Sequence, residues 1–316
     1  MVNSLIHVAP VPAVDEVGRL VERLSNWGRW GGDDEIGTMN LLTPARRIAA
    51  AALVREGTAV SMARRMRPRV EADNPRPLLH YMERAGSDCP SHGYASVADW
   101  IGLGFHGFGV THIDALCHVL WDAKTYNGRP SSEIKASRGA LHNNVERLRD
   151  GIFTRGVLFD IPRVLGVEWL EPGEAIDADV LDLCENDLSE ALQPGDALVI
   201  RLGRDARSAA KGPHDPIADG FPGLLPGCLP WLHERDLALL VSDAVSDVMV
   251  PGAAPHLMPV HAVTLVAMGL HLLDNAALDD LASACAARRR SDFCLSIAPL
   301  PIAYATGSPV NPTALF

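Results

Sequence analysis

No stretch of the 316 residues is apolar for long enough to cross a bilayer. The beginning of the chain lacks a basic start followed by an apolar run, so a cytoplasmic location is the expectation. Six cysteines (Cys89, Cys117, Cys184, Cys228, Cys285 and Cys294) lie far apart without a C-x-x-C pair. That excludes a zinc knuckle or a dithiol redox motif and fits reduced thiols. Basic residues are the minority, 28 against 39 acidic ones, for a net charge of −11. Nucleic acid and anionic membranes select basic surfaces, so neither is expected as the main partner, and a small-molecule substrate is. No G-x-S-x-G elbow is present, and Cys117 directly precedes His118 in sequence and would point elsewhere, which argues against a nucleophilic hydrolase.

What is there describes a globular, loop-rich α/β protein: 47% hydrophobic, 21% charged, with 27 glycines and 23 prolines. We expect one domain over 1–316, with 1–57 packed on it as a helical and loop extension. Apolar residues at helical spacing predict a helix over 14–25. A second helix is predicted after Thr43, with Pro44 in its first turn and Gly57 past its end. Strands are predicted at TAVSMARRM and at the apolar runs GVLFDI, DALVIRLG and LALLVSDA, whose composition suits buried strands. The proline-rich stretch 66–77 reads as a surface loop with solvated arginines. GLGFHG formally matches G-x-G-x-x-G, but β-branched residues follow where a dinucleotide site needs a helix, so close backbone packing is expected instead.

The chemistry concentrates in HGFGVTHIDALCH, His106 to His118, with three histidines and one aspartate in thirteen residues. If THID is extended, His112 and Asp114 project from one face while Ile113 enters the packing on the other. An imidazole beside a carboxylate suits Zn²⁺ or Mn²⁺. His118, four residues on, is suited to carry protons because imidazole titrates near neutrality. Further along come His256, His261 and His271. His261 falls at a predicted helix start and Asp274 at the exit of the strand LHLLDN, complements to His112 and Asp114 from distant segments. Between the two regions, WDAKTYNGRPSSEI reads either as a flap bringing Tyr126 and Asn127 near a substrate or as loop filler. The tail ATGSPVNPTALF reads as turn-rich.

These residues resemble the cyclase family that includes bacterial kynurenine formamidase and isatin hydrolase, whose signature is H-x-G-T-H-x-D-x-x-x-H. Thr111, His112, Asp114 and His118 occupy its last four fixed places, and NWGRWGGDDEIGTMNLLTP, QPGDALVIRLG and PVHAVTLVAMGLHLLDN are similar to segments of its longer members. The resemblance implies a swivelling β/β/α fold, a mixed sheet forming a barrel-like core with outer helices. It implies metal ligation by His112, Asp114, His261 and Asp274, acid/base catalysis by His118, and a homodimer or homotetramer in which the loop around Trp27 and Trp30 could form an interface. Two places depart from the pattern. Phe108 stands where the first motif histidine belongs, with Val110 for the glycine, and Asp274 stands for the usual glutamate. One ion per chain is the resulting expectation, with His106, two residues displaced and about 7 Å away along a strand, in the outer shell. The implied activity is hydrolysis of an amide, formamide or lactam. The alternatives are a cyclase-type or lactone-acting enzyme, or a binding protein with an impaired metal site.

Overall fold

The computed structural model describes residues 7–8, 13–250 and 258–316; His256 lies outside them. The strands used below are β1 Ala59–Ser61, β2 Leu79–Arg84, β3 Ala98–Gly102, β4 His112–Asp114, β5 Ile152–Asp160, β6 Ala197–Arg201, β7 Leu239–Ser242, β8 His271–Asp274, β9 Asp292–Ile297, β10 Gly307–Pro309 and β11 Thr313–Leu315. All except β2 and β3 join one nine-stranded mixed sheet, in the order β10-β4-β8-β7-β6-β5-β9-β11-β1. The sheet curls into a half-barrel with helices around it. The predicted buried runs form its parallel centre, β5 to β8.

Alternation along these central strands feeds two cores. Val157, Phe159, Leu198, Ile200, Leu240 and Leu272 enter one, while Leu158, Val199, Val241 and Leu273 enter the other. A strand covered on both faces has no place for a polar side chain at its centre, so chemistry is displaced to the strand ends. The tail expected to be turn-rich supplies two antiparallel strands instead. β11 pairs with β9, and β10 pairs with β4 along an outer edge, where Pro309 is tolerated.

The helices are α1 Val14–Arg23, α2 Pro44–Ala51, α3 Ala178–Asn186, α4 Arg204–Lys211, α5 Cys228–Glu234, α6 Pro259–His261 and α7 Asp279–Arg288. Thr43 caps α2 as its spacing predicts, accepting from the Arg46 N–H, but the helix stops at Ala51 rather than near Gly57. α6 continues as a π-helix, Ala262–Met268, in which every residue is buried. The N-terminal loop secures it: Asn26 Nδ2 donates to Met268 O at 2.9 Å, and Trp27 Nε1 donates to Val266 O at 2.6 Å. Trp27 thus serves the core edge inside this chain. No described helix is long and apolar enough to cross a membrane.

Glu35 ties the same loop to the body. Its carboxylate accepts from the Asn143 N–H at 3.0 Å and from Arg147 Nε at 2.7 Å, and lies 3.1 Å from His142 Nδ1. Burial works against its charge, but these donors outweigh it and hold the Glu35 pKa below the ordinary value of 4.5. The native state therefore binds its proton less readily than the unfolded chain, and the stabilisation is complete above the unfolded pKa and lost as pH falls through the native one. Glu35→Gln is expected to cost about 1–3 kcal/mol at neutral pH. In melts across pH, the gap to wild type should stay constant above about pH 5.5 and close below the unfolded pKa. A gap that widened on acidification would contradict this assignment.

Candidate metal centre

THID is extended and buried, as its alternation predicts. Ile113 is fully buried in one core while His112 and Asp114 face the other way, 3% and 1% exposed. β8 runs antiparallel to β4 with Asp274 directly opposite His112, which delivers the distant acid to the pair. β10 flanks β4 on its other side with Gly307 opposite Asp114. A side chain at 307 is excluded, because a Cβ there would lie 2.5 Å from Ile113 O and 3.0 Å from His106 Cε1.

Five side chains converge on the Asp114 carboxylate. Oδ1 lies 3.0 Å from His106 Nδ1, 3.4 Å from His112 Nε2 and 3.9 Å from His118 Nε2. Oδ2 lies 3.5 Å from His261 Nε2, which is itself 3.1 Å from Asp274 Oδ2. None of these approaches to Asp114 has the geometry of a hydrogen bond, so both of its oxygens and His106 Nδ1 are buried without a hydrogen-bond partner. The ligand atoms form two compact groups that share Asp114. One is His106, His112 and Asp114, the other Asp114, His261 and Asp274. The four residues expected to surround one ion are therefore divided, with His112 on the Oδ1 side and His261 and Asp274 on the Oδ2 side.

The imidazoles are fixed from behind. His112 Nδ1 donates to Val110 O at 2.9 Å, and His261 Nδ1 donates to Asp247 Oδ2 at 2.6 Å, so each leaves Nε2 open toward Asp114. Asp247 also accepts from the Val260 and His261 N–H groups at 2.7 and 3.0 Å, holding the start of α6 by both oxygens. Sequence reasoning missed this residue, and nothing in a spacing of fourteen positions signals it. Ser246 was missed as well; its Oγ donates to Asp274 Oδ1 at 3.0 Å.

His106 departs from expectation. The distance of about 7 Å assumed a continuous strand, whereas residues 103–110 form a bent loop. Buried Arg204 clamps that loop through Phe108 O at 2.7 Å, Asn275 Nδ2 donates to Gly107 O at 2.7 Å, and Arg76 donates to His106 O at 2.9 Å. Arg76 is thus engaged rather than solvated, and Arg67 pairs with Glu71 and Asp73. Folded back, His106 reaches Asp114 and stacks on His118 with ring centroids 3.8 Å apart. Phe108 packs into the larger core, 5.6 Å from Phe221.

Tyr126 and Asn127 do not approach this site. Tyr126 is fully buried with its hydroxyl donating to Asp34 at 2.9 Å, and Asn127 donates to Gly31 O and Asp34 O, so the segment anchors the N-terminal loop. His271, on the opposite face of β8 from Asp274, is fully buried, and burial takes its pKa down to about 3. A small cavity of about 60 Å³ opens beside the cluster, lined by Asn74, Arg76, Phe105, His106 and Phe108. The larger groove between α1 and Trp121, about 710 Å³, carries none of the clustered ligands.

Burial opposes charge throughout, and the mutual field reverses it at three positions. Asp114 is held well below the usual carboxylate range by His118, His112 and His106. Asp114 and Asp274 lift His112 above its ordinary value, and Asp274, Asp114 and Asp247 lift His261 well above it. His118 goes the other way, down to about 4, through burial and the neighbouring imidazoles. It is 29% exposed and carries no proton near neutrality.

The Cyclase family model matches residues 46–247, which include His112, Asp114 and His118. The chain belongs to the cyclase family. A solved structure described as a novel cyclase is 32% identical, with 94% of this chain and 99% of that one covered and a TM-score of 0.83. Isatin hydrolase A from Ralstonia solanacearum shares the fold at 19% identity, covering 86% of this chain and 97% of its own, TM-score 0.57. An isatin hydrolase bound to the product analogue thioisatinate aligns at 18% identity over 84% and 94%, TM-score 0.56. No curated protein matches the sequence significantly.

Proposed function

We propose that this cyclase-family chain is a metal-dependent hydrolase that cleaves a C–N bond in a small amide, formamide or lactam. The observation that carries the proposal is the Asp114 carboxylate, buried with two unpartnered oxygens among imidazoles whose Nε2 or Nδ1 atoms point at it. Such a donor set fits Zn²⁺ or Mn²⁺. Asp114, His261 and Asp274 would hold the ion, with His112 and His106 at the other oxygen of the shared carboxylate. The field that lifts His112 and His261 is the one a divalent cation would satisfy. Bound there, the ion would acidify a water and polarise the substrate carbonyl.

The chain's own residues supply the rest. His118 is proton-free at neutral pH, and Nε2, 3.9 Å from Asp114 Oδ1, is placed to take the proton of an attacking water and return it to the departing nitrogen. Its ring is kept in place by the parallel face of His106. Phe105 and Phe108 wall part of the small adjoining cavity, beside Asn74, Arg76 and His106. The isatin hydrolase likeness supports a cyclic aromatic amide among the choices, at the level of fold.

Asp247 offers a test of the His261 side. Asp247→Asn keeps the shape but weakens the bond that fixes the His261 tautomer and removes the charge behind it. Zinc affinity, measured by competition with a chromogenic chelator, is expected to fall roughly 10–100-fold with the fold intact. Unchanged affinity would show that His261 does not bind the ion. A screen of N-formyl, lactam and lactone compounds with zinc- or manganese-loaded protein tests the substrate class. Turnover confined to lactones would overturn the C–N assignment.

A further inference from the structure

The glycine-rich run LGFHGFGV, 103–110, joins β3 to β4 without helix or strand, and side chains from elsewhere take its carbonyls. Arg76 donates to His106 O, Asn275 to Gly107 O and Val110 O, and Arg204 to Phe108 O, while Arg204 and Asn275 are themselves joined at 2.7 Å. The peptide bonds are trans, so the N–H that shares a plane with each carbonyl points the other way. With Gly107 O and Phe108 O both drawn to the Arg204–Asn275 pair, the N–H groups of Phe108 and Gly109 turn together to the opposite side. Among the described residues neither of them, nor any other N–H from Gly104 to Gly109, has a hydrogen-bond partner. Glycine permits this course: Gly107 has φ +151, and a Cβ on Gly109 would lie 2.6 Å from Asn74 Oδ1.

The cavity of about 60 Å³ lies against this loop and Arg76, and no acid lines it. That volume exceeds what one water needs and is far below the roughly 300 Å³ of a small substrate pocket, so it suits a substituent rather than a whole substrate. Arg76 is exposed and has no acidic partner among the described residues, whereas Arg64, Arg67 and Arg204 each have one. His106 lines the cavity and places Nδ1 3.0 Å from Asp114 Oδ1, which sets an occupant one imidazole away from the ligand groups. We propose that Arg76 and the amides of Phe108 and Gly109 form a carboxylate-binding subsite, and that the substrate carries the carboxylate. Successive N–H groups turned to one side make an anion-binding concavity, and a guanidinium meets a carboxylate through parallel charge-assisted bonds. A single positive charge balances a carboxylate but not a phosphate dianion. Asp114 and Asp274 would offset a divalent ion, which leaves the charge of Arg76 for the substrate. That the carrier is an acid-bearing amide rests on the hydrolase reading above; the anion subsite itself does not.

The test titrates acetate, with neutral acetamide as control, into ¹⁵N-labelled, zinc-loaded full-length protein and follows the amide signals by NMR. Those of Phe108 and Gly109 are expected to move downfield and saturate with acetate, and to move far less with acetamide. In Arg76→Gln, with zinc still bound, the acetate dissociation constant should rise about tenfold, as loss of one charge-assisted hydrogen bond implies. Unmoved amides, an equal response to acetamide, or unchanged acetate affinity in Arg76→Gln would each overturn the subsite; acetate held only by zinc would give the last of these. The second arm compares hydrolysis of the three formamidobenzoate isomers with that of formanilide, which lacks the acid group. The best isomer should be preferred in kcat/KM, and Arg76→Gln should lower that preference about tenfold. An unaltered preference would take the carboxylate away from the substrate. Absence of turnover with all four compounds would count against the hydrolase reading, and the acetate titration decides the subsite without it.

Discussion

Replacing Asp114 by asparagine is expected to abolish activity and to lower zinc affinity by well over the roughly 100-fold that loss of an outer partner produces. The expectation follows from position. Asp114 is the one residue present in both ligand groups, and His106, His112, His118 and His261 all face its two oxygens within 3.9 Å. Asparagine fits the same space between β8 and β10 but brings no negative charge. The fall in kcat/KM should be at least about a thousandfold, which corresponds to roughly 4 kcal/mol of lost transition-state stabilisation. Loss of its charge also strands His112 and His261 beside fewer acids, so the metal-free variant should melt below wild type. Zinc affinity within a few-fold of wild type in folded Asp114→Asn would refute the assignment.

His118→Ala separates proton transfer from metal binding. His118 belongs to neither ligand group, and its Nε2 is the most distant of the imidazole nitrogens from the carboxylate. The variant should hold zinc as tightly as wild type while kcat falls about 10²–10⁴-fold, the range that a positioned acid/base contributes. Alanine removes a partly exposed ring stacked on His106, so little stability is at stake. A parallel loss of zinc and activity would make His118 a ligand, and near-normal turnover would remove it from the chemistry.

The legible parts of this molecule are those written in local pattern. Alternation across THID placed His112 and Asp114 on one face and Ile113 in a core, and the apolar runs became the parallel centre of the sheet. Asp274 was recognisable as a strand-exit acid, and the pairing of β8 with β4 brings it opposite His112. What pattern could not supply was the path of an irregular chain. His106 arrives through a loop bent by Arg204 and Asn275, residues almost a hundred and more positions away, so extrapolation along a strand misplaced it. Asp247 sits in a similar irregular stretch, and only the start of α6 gives its two oxygens a purpose. Tyr126 failed for another reason. A tyrosine in a polar, turn-rich segment reads as part of a flap or as loop filler, but Asp34 from the N-terminal loop takes its hydroxyl and the ring is buried against Gly269. Of the tail's two short strands, β10 carries Pro309 at the sheet's outer edge, and edge pairing leaves little trace in periodicity.

The most direct test of the centre is a crystal structure of the protein grown with zinc or manganese, with anomalous data collected at that metal's absorption edge. An ion should appear about 2.0–2.2 Å from an Asp114 oxygen, with His261 Nε2 and an Asp274 oxygen completing its contacts. A fully loaded crystal with no anomalous peak beside Asp114, its carboxylate bonded only to the surrounding histidines, would contradict it.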